Sequence, residues 1–289
     1  MAEQAQLLML APDSAKLMLI DTYGLVYRAF FALPMLTTVG GMPINAAYGF
    51  TMMLTKIIAD EKPTHVIAAF DKGRPKARIA MYPEYKAHRA ETPDELRSQF
   101  ALVRQILATY AIPIVELDGE EADDVIATLA AQAERAQQRV EVVTGDLDLL
   151  QIVDERTTVL TTRRGITDMG RYDIAAVRER YDLEPLQLPD YRGLKGDPSD
   201  NLPGIPGVGE KTAIKLVKSA GSLDALLADP KLAGTPKLEH LIREYGEQAR
   251  VCRDVSVIGR DLPVRIDWEA AAYTAPSSDS LYKIGRAHV

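Results

Sequence analysis

Cysteine is almost missing from this chain of 289 residues, where Cys252 stands alone. An internal disulfide is thereby excluded, and a reducing cytoplasm is the expected compartment. The chain has four histidines, and no His/Cys spacing of the zinc-binding type is found among them. No apolar run is long enough to span a bilayer, and the first charges, Glu3 and Asp13, are acidic where a secretory leader would carry bases. Internal repeats and low-complexity tracts are lacking. Positive charge is in deficit: 34 Lys and Arg face 41 Asp and Glu, a net charge of −7. Taken as a total, that balance argues against a nucleic-acid partner. What remains, 47% hydrophobic and 26% charged residues, is the composition of a globular chain with ample core, in one large domain or two.

The charges are unevenly spread. Glu116, Asp118, Glu120, Glu121, Asp123 and Asp124 form a run of six acids without a base. Lys72, Arg74, Lys76, Arg78, Lys86 and Arg89 form a basic stretch with Glu84 as its one acid. Each run can be a solvated face, the commoner meaning, or the pair can be a cation-binding centre beside an anion-binding surface.

Short apolar runs alternate with helical spacing. Lys16–Asp21, Thr64–Phe70, Ile112–Glu116 and Val140–Thr144 are strand candidates. Ile44–Asp60 has helical spacing, Thr92-Pro93-Asp94-Glu95 starts a helix reaching about Tyr110, and a further helix covers roughly Glu121–Ala136. This order implies an α/β fold with a mostly parallel sheet flanked by helices, whose ligands bind at the carboxyl ends of the strands. Asp21, Asp71 and Asp146 all fall at that end. From about residue 185 the character changes to a Gly/Pro-rich segment, then helices over about Glu210–Ser219, Ser222–Leu227 and Pro236–Arg253.

Nine carboxylates deserve to be taken together: Asp21, Asp71, Glu121, Asp123, Asp124, Asp146, Asp148, Asp197 and Asp200. Singly, each has a plain reading as a turn residue, a helix cap or compensation of a helix dipole. Gathered at one sheet edge they would repel, and divalent cations would relieve the repulsion. All-oxygen ligands favour Mg²⁺ or Mn²⁺. Two such ions about 4 Å apart can activate a water and stabilise the leaving oxygen of a phosphodiester. Setting these nine aside leaves fewer acids than bases, so the net charge largely records one site.

Anion-binding elements accompany them. Gly207-Val208-Gly209-Glu210-Lys211-Thr212 follows a Pro/Gly turn and opens a helix, where amides can meet phosphate. It matches neither a P-loop nor a dinucleotide fingerprint; a helix-hairpin-helix on a DNA backbone suits it better, with a simple helix cap as the alternative. Tyr82 and Tyr85 among Arg78, Lys86 and Arg89 suit single-stranded nucleic acid, or a loop with packing tyrosines. Arg28 could reach a phosphate or be a structural arginine.

The motifs LMLID, YRAFFALP, FD, YKAHRAETPDEL, GEEADDVIATLA, VVTGDLDLLQIV and YRGLKGDPSDNLPGIPGVGEKTAIKLV, in that order over roughly residues 16–270, resemble the 5′-nuclease domain of bacterial DNA polymerase I, within the flap-endonuclease family. The resemblance implies a PIN-like sheet with a helical arch at about 72–92 (domain 16–185), a helix-hairpin-helix subdomain (186–270), a leader (1–15), and a linker start with a non-native tail (271–289). Ile284–Val289 reads like translated adapter sequence. It implies that Asp21, Asp71, Glu121, Asp123 and Asp124 hold the more catalytic metal side and Asp146, Asp148, Asp197 and Asp200 the second. Lys86 and Arg89 would steer the scissile phosphate, with Arg28 near the substrate. Gly207, Gly209, Lys211 and Thr212 would grip duplex DNA, with K⁺ as a companion ion, and Arg78, Tyr82 and Tyr85 would add contacts. The implied protein is a monomeric, cytoplasmic, nucleoid-associated enzyme that removes 5′ flaps and RNA primers and belongs to a longer chain carrying a polymerase. Two departures stand out: Thr22 where glycine is frequent, and Ala77-Arg78 where Phe-Arg is frequent. The rival readings are a non-catalytic DNA-binding module, which the presence of all nine acids disfavours, and a PIN-type ribonuclease, which would lack the hairpin segment 204–221.

Overall fold

The computed structural model describes residues 14–165 and 168–276. Most of the expected leader and the tail beyond residue 276 lie outside the described residues. Six strands form one sheet in the order β3-β2-β1-β4-β5-β6: β1 Lys16–Asp21, β2 His65–Ala69, β3 Ile114–Val115, β4 Arg139–Thr144, β5 Thr157–Arg164 and β6 Asp168–Tyr172. The first five run parallel, and β6 closes the edge antiparallel to β5. The order reverses between β1 and β4, which makes their carboxyl ends a topological switch point where open α/β sheets bind ligands.

The alternation along β1 explains how the sheet is covered. Leu17 and Leu19 point into a core shared with Val125, Ile126 and Leu129. Met18 and Ile20 point the other way, onto Leu25, Phe50, Leu54 and Val103. A strand buried on both faces reads as a continuous apolar run, and that is how β1, β2 and β4 stand out in the sequence. The flanking helices are α1 Thr22–Ala32, α2 Asn45–Glu61, α3 Lys76–Met81, α4 Asp94–Arg97, α5 Phe100–Thr109, α6 Ala122–Arg135 and α7 Ile174–Tyr181.

Three features differ from the expectation. The helix expected over 92–110 is two, α4 and α5, because buried Gln99 turns its amide group to Asn45 and Ala47 instead of continuing a smooth helical face. The β5–β6 pair has few bulky apolar residues and carries no strong strand signal. The 72–92 segment has one short helix, α3, followed by turns that fold down onto the carboxyl edge of the sheet.

Beyond residue 182 lie α8 Leu188–Lys195, α9 Glu210–Ala220, α10 Leu223–Ala228 and α11 Pro236–Ser256. They enclose a separate core of Tyr191, Leu194, Val208, Leu216, Val217, Leu226 and Ile242. An irregular segment then returns along α6 to a last turn, α12 Trp268–Ala271. There Trp268 meets His65 edge to face, and Tyr273 N donates to Thr64 O at 2.9 Å. The latch sits at the amino end of β2.

Candidate active site

Asp21 ends β1 and caps α1. Its Oδ1 accepts from Gly24 N at 2.9 Å and its Oδ2 from Thr144 Oγ1 at 2.7 Å. A Cβ at position 24 would lie 2.1 Å from Asp21 Oδ2, so glycine is required two residues after the position where Thr22 replaces the expected one. Thr22 itself is fully buried at the start of α1. Asp71, after β2, accepts from Ala122 N at 2.8 Å and so fixes the start of α6. Asp123 sits in the first turn of α6, and Asp146 follows β4, its Oδ1 accepting from Asp148 N at 2.9 Å.

These four acids line one cleft of about 810 Å³, together with Glu121, Lys86, Arg89, Arg28, Tyr23 and Tyr27. Their electrostatics show crowding. Burial, then the charge of Asp71, pushes the Asp21 carboxyl up to about 6. Burial, then Asp146 and Asp21, pushes Asp123 well above the usual carboxylate range. Burial also raises Asp71. Asp146 lies lower than usual despite its burial, because hydrogen bonds from Asp148 and the charge of Arg192 hold its anionic form. Among the described residues no three acids close into a finished cage. The set is instead a half-open, all-oxygen rim whose members repel, and it fits a hard divalent ion that keeps several waters.

The other expected acids are neutralised by the chain itself. Asp148 and Asp197 share Arg192, whose Nη2 pairs with Asp148 Oδ1 and whose Nη1 donates to Asp197 Oδ2 at 2.7 Å. Asp200 is buried beneath Arg89, which donates to its Oδ1 at 2.7 Å, with Lys86 Nζ 3.8 Å from Oδ2. Glu121 Oε1 accepts from Lys86 Nζ at 2.6 Å. Lys86 and Glu121 hold each other charged: burial opposes both charges, yet the lysine is raised and the glutamate lowered.

Asp124 departs from the expected set. It is buried and bonded on both oxygens, to the Arg78 guanidinium and to Gly259 N at 2.7 Å. Arg78 is correspondingly no surface contact but a buried ion-pair partner. Tyr85 is also buried, donating its hydroxyl to Glu121 at 3.1 Å, and half-buried Tyr82 packs against the cluster that Tyr85 forms with Leu202, Cys252 and Val255. The expected stacking tyrosines therefore anchor the loop, and of the basic stretch Lys86 and Arg89 are the two that line the cleft. Arg28 lines it from α1 and donates to Gly165 O at 3.1 Å.

In the helical region, Gly207 has φ +79°, and a Cβ at either Gly207 or Gly209 would meet nothing within 4 Å. The start of α9 is thus open to an approaching backbone, and first-turn amides have no intrahelical partner. Lys211 is exposed and Thr212 half-buried on that turn, with Lys215 and Lys218 further along the helix.

Sequence reasoning passed over Arg192, Thr144 and Gly24. The aromatic wall went unread too: Tyr23 stacks on Phe100 at 4.3 Å between centroids. Phe31 (71% exposed) lines the same cleft. The string YRAFFALP carried that signal in its aromatic density.

The family model described as 5′-3′ exonuclease, N-terminal resolvase-like domain, matches residues 16–182, and that described as 5′-3′ exonuclease, C-terminal SAM fold, matches residues 183–279. DNA polymerase I of Bacillus caldotenax is 47% identical over 258 residues, 89% of this chain and 29% of that protein. DNA polymerase I of Bacillus subtilis is 45% identical over 261 residues, 90% of this chain and 30% of that protein. The chain thus spans under a third of the length of these curated relatives. Among solved structures, the phage T5 5′-exonuclease with bound zinc aligns with a TM-score of 0.69 at 19% identity, covering 94% of this chain and 97% of that one. The phage T5 flap endonuclease in complex with DNA and metal ions aligns at 0.68, also at 19% identity, with the same coverage. The two likenesses place the fold, and the family models, which together run from residue 16 to residue 279, establish that this chain belongs to the 5′-3′ exonuclease family.

Proposed function

We propose that the chain is a metal-dependent 5′→3′ exonuclease and 5′-flap endonuclease. The observation that carries this is the crowding of Asp21, Asp71, Asp123 and Asp146 at the sheet's switch point, opposite the cations Lys86 and Arg89. Asp21, Asp71, Asp123 and Asp146 would hold one or two Mg²⁺ or Mn²⁺ ions, with Glu121, Asp148, Asp197 and Asp200 reached through or behind them. When bound, such ions supply Lewis acidity toward the phosphate and a water of lowered pKa.

The chain's own residues do the rest. Thr144 and Gly24 hold Asp21 in one rotamer, so its free lone pairs face the cleft. Lys86 and Arg89 place two positive charges where a phosphodiester entering the cleft would develop negative charge, in a site partly closed to water. Arg28, Tyr23 and Tyr27 form the wall along which a 5′ strand would lie, and stacking on aromatics is tolerant of sequence. The open start of α9, with Gly207, Gly209, Lys211 and Thr212, would take the backbone of the adjoining duplex, with K⁺ as a companion ion. Nicked, flapped and RNA-primed DNA are the substrates this arrangement suits, and the relatives' polymerase part supplies the context of replication and repair.

The deciding test is a labelled 5′-flap duplex incubated with Mg²⁺, with EDTA, and with the Asp123→Ala variant. Cleavage is expected in the first case only. Cleavage that persists in EDTA would overturn the metal dependence.

A further inference from the structure

Helix α6 carries Asp124, Thr128 and Gln132 at i, i+4 and i+8, on one line down the helix. All three are buried. A buried polar line is tolerated when its atoms are paired, and here the partners are the backbone of the returning segment 257–266. Gly259 N donates to Asp124 Oδ1 at 2.7 Å, Leu262 N to Thr128 Oγ1 at 3.2 Å and Ile266 N to Gln132 Oε1 at 3.2 Å. Gln132 Nε2 returns a bond to Val264 O at 2.7 Å. The side chains of α6 act here as a neighbouring strand would.

Asp124 has a second attachment. Arg78 Nη2 donates to its Oδ1 at 2.9 Å, and Nη1 donates to its Oδ2. The same guanidinium reaches Glu121 Oε2 at 2.8 Å, Val255 O at 2.9 Å and Val257 O at 3.1 Å. Those bonds account for all five N–H donors of an arginine, so the geometry is fully committed. Glu121 then carries the connection forward to Tyr85 Oη at 3.1 Å and to Lys86 Nζ at 2.6 Å. An unbroken run of charge-assisted bonds thus leads from segment 257–266, through α6, to the lysine at the cleft.

We propose that Asp124 is a positioning residue and not a metal ligand: paired with Arg78, it pins segment 257–266 and the Tyr85–Arg89 turn to α6, and so fixes Lys86 over the acids. The reading of the cleft as a divalent-ion site underlies this assignment. Adjacent helical residues point about 100° apart, from 3.6 residues per turn, so Asp123 takes the cleft and Asp124 the flank. The bidentate fork matters because a lysine at position 78 could supply charge but not five bonds.

The test follows Mn²⁺ binding by calorimetry, amide hydrogen exchange of the metal-free protein, and kcat and KM on a 5′-flap duplex, for the wild-type chain, Asp123→Asn, Asp124→Asn and Arg78→Lys. Asp124→Asn and Arg78→Lys should keep the wild-type number of bound Mn²⁺ ions, while Asp123→Asn loses at least one. Both flank variants should exchange faster at residues 257–266 and 82–89, and kcat should fall about 10–100-fold, the usual cost of losing an orienting partner, with KM little changed. Should Asp124→Asn fail to fold, Arg78→Lys reads the same two segments. A lost Mn²⁺ ion in Asp124→Asn, or unchanged exchange in both segments, overturns the proposal. If the wild-type chain binds no Mn²⁺, the nuclease reading fails, and exchange alone then decides whether the clamp exists.

Discussion

Asp123 and Asp124 are neighbours in sequence, yet one faces the cleft and the other a buried arginine. Composition and spacing made them equal, because the phase of α6 and the burial of Arg78 are set by contacts distant in sequence. Asp21, Asp71 and Asp146 were legible for the opposite reason: an acid that ends an apolar run needs only the strand's direction to be placed. Lys86 is the residue whose loss should show most directly in rate. Lys86→Ala should lower kcat about 10²–10³-fold, the typical effect of removing one preorganised donor, as read on a flap duplex at saturating substrate. Asp21 carries a pH dependence. Its folded value of about 6 lies above its ordinary 3.8, so in the metal-free protein this group stabilises the fold at low pH, and that contribution is lost as pH rises through 6. A bound divalent ion competes with the same proton and with that of Asp123, which burial and its acid neighbours also raise, so Mn²⁺ affinity should rise with pH by up to about tenfold per unit for each proton displaced and level off only once both carboxyls have ionised. Calorimetric titration at pH 5, 6, 7 and 8 checks both the slope and the plateau. Gly24→Ala should damage the same site sterically: its methyl would occupy the space of Asp21 Oδ2. The expected loss is about 1–3 kcal/mol of stability in denaturant titration, as for other overpacked sites.

At the scale of elements, the sheet and the helical region are joined through Arg192. It projects from α8, is 12% exposed, and binds Asp148 on the sheet side and Asp197 on its own side. Breaking a buried pair leaves both carboxylates without their cation, and Arg192→Gln should cost about 3–5 kcal/mol in denaturant titration. A change near zero would mean that solvent replaces the guanidinium. The surface pairs of the acid run behave differently. Glu116 meets Lys72 and Arg104, and exposed Asp118 meets Lys76, so part of that run is the solvated face first weighed against a cation centre, and such pairs contribute little. The strands buried on both faces and the long helices were readable from periodicity. The β5–β6 pair was not, because an edge hairpin needs little apolar alternation, and the break between α4 and α5 was not, because it depends on what Gln99 meets across the fold.

For the whole molecule, the total charge of −7 is divided between an acid rim and basic surfaces. Binding to duplex should therefore remain salt-dependent despite the negative sum. Each phosphate contact contributes about −0.9 to the slope of log affinity against log salt concentration. Lys211→Ala combined with Lys215→Ala should flatten that slope by about 2 in fluorescence anisotropy with Ca²⁺ replacing Mg²⁺. The latch of Trp268 on His65, with Tyr273 bonded to Thr64, has a consequence for layout. It lies at the amino end of β2, and the acids lie past the carboxyl end, roughly 15–20 Å away for a strand of this length. Chain leaving Tyr273 therefore starts behind the sheet, on the side opposite the acid cleft. Whatever is tethered there has its first anchor fixed at the rear, and it must come round the flank of the molecule to share one substrate with the cleft.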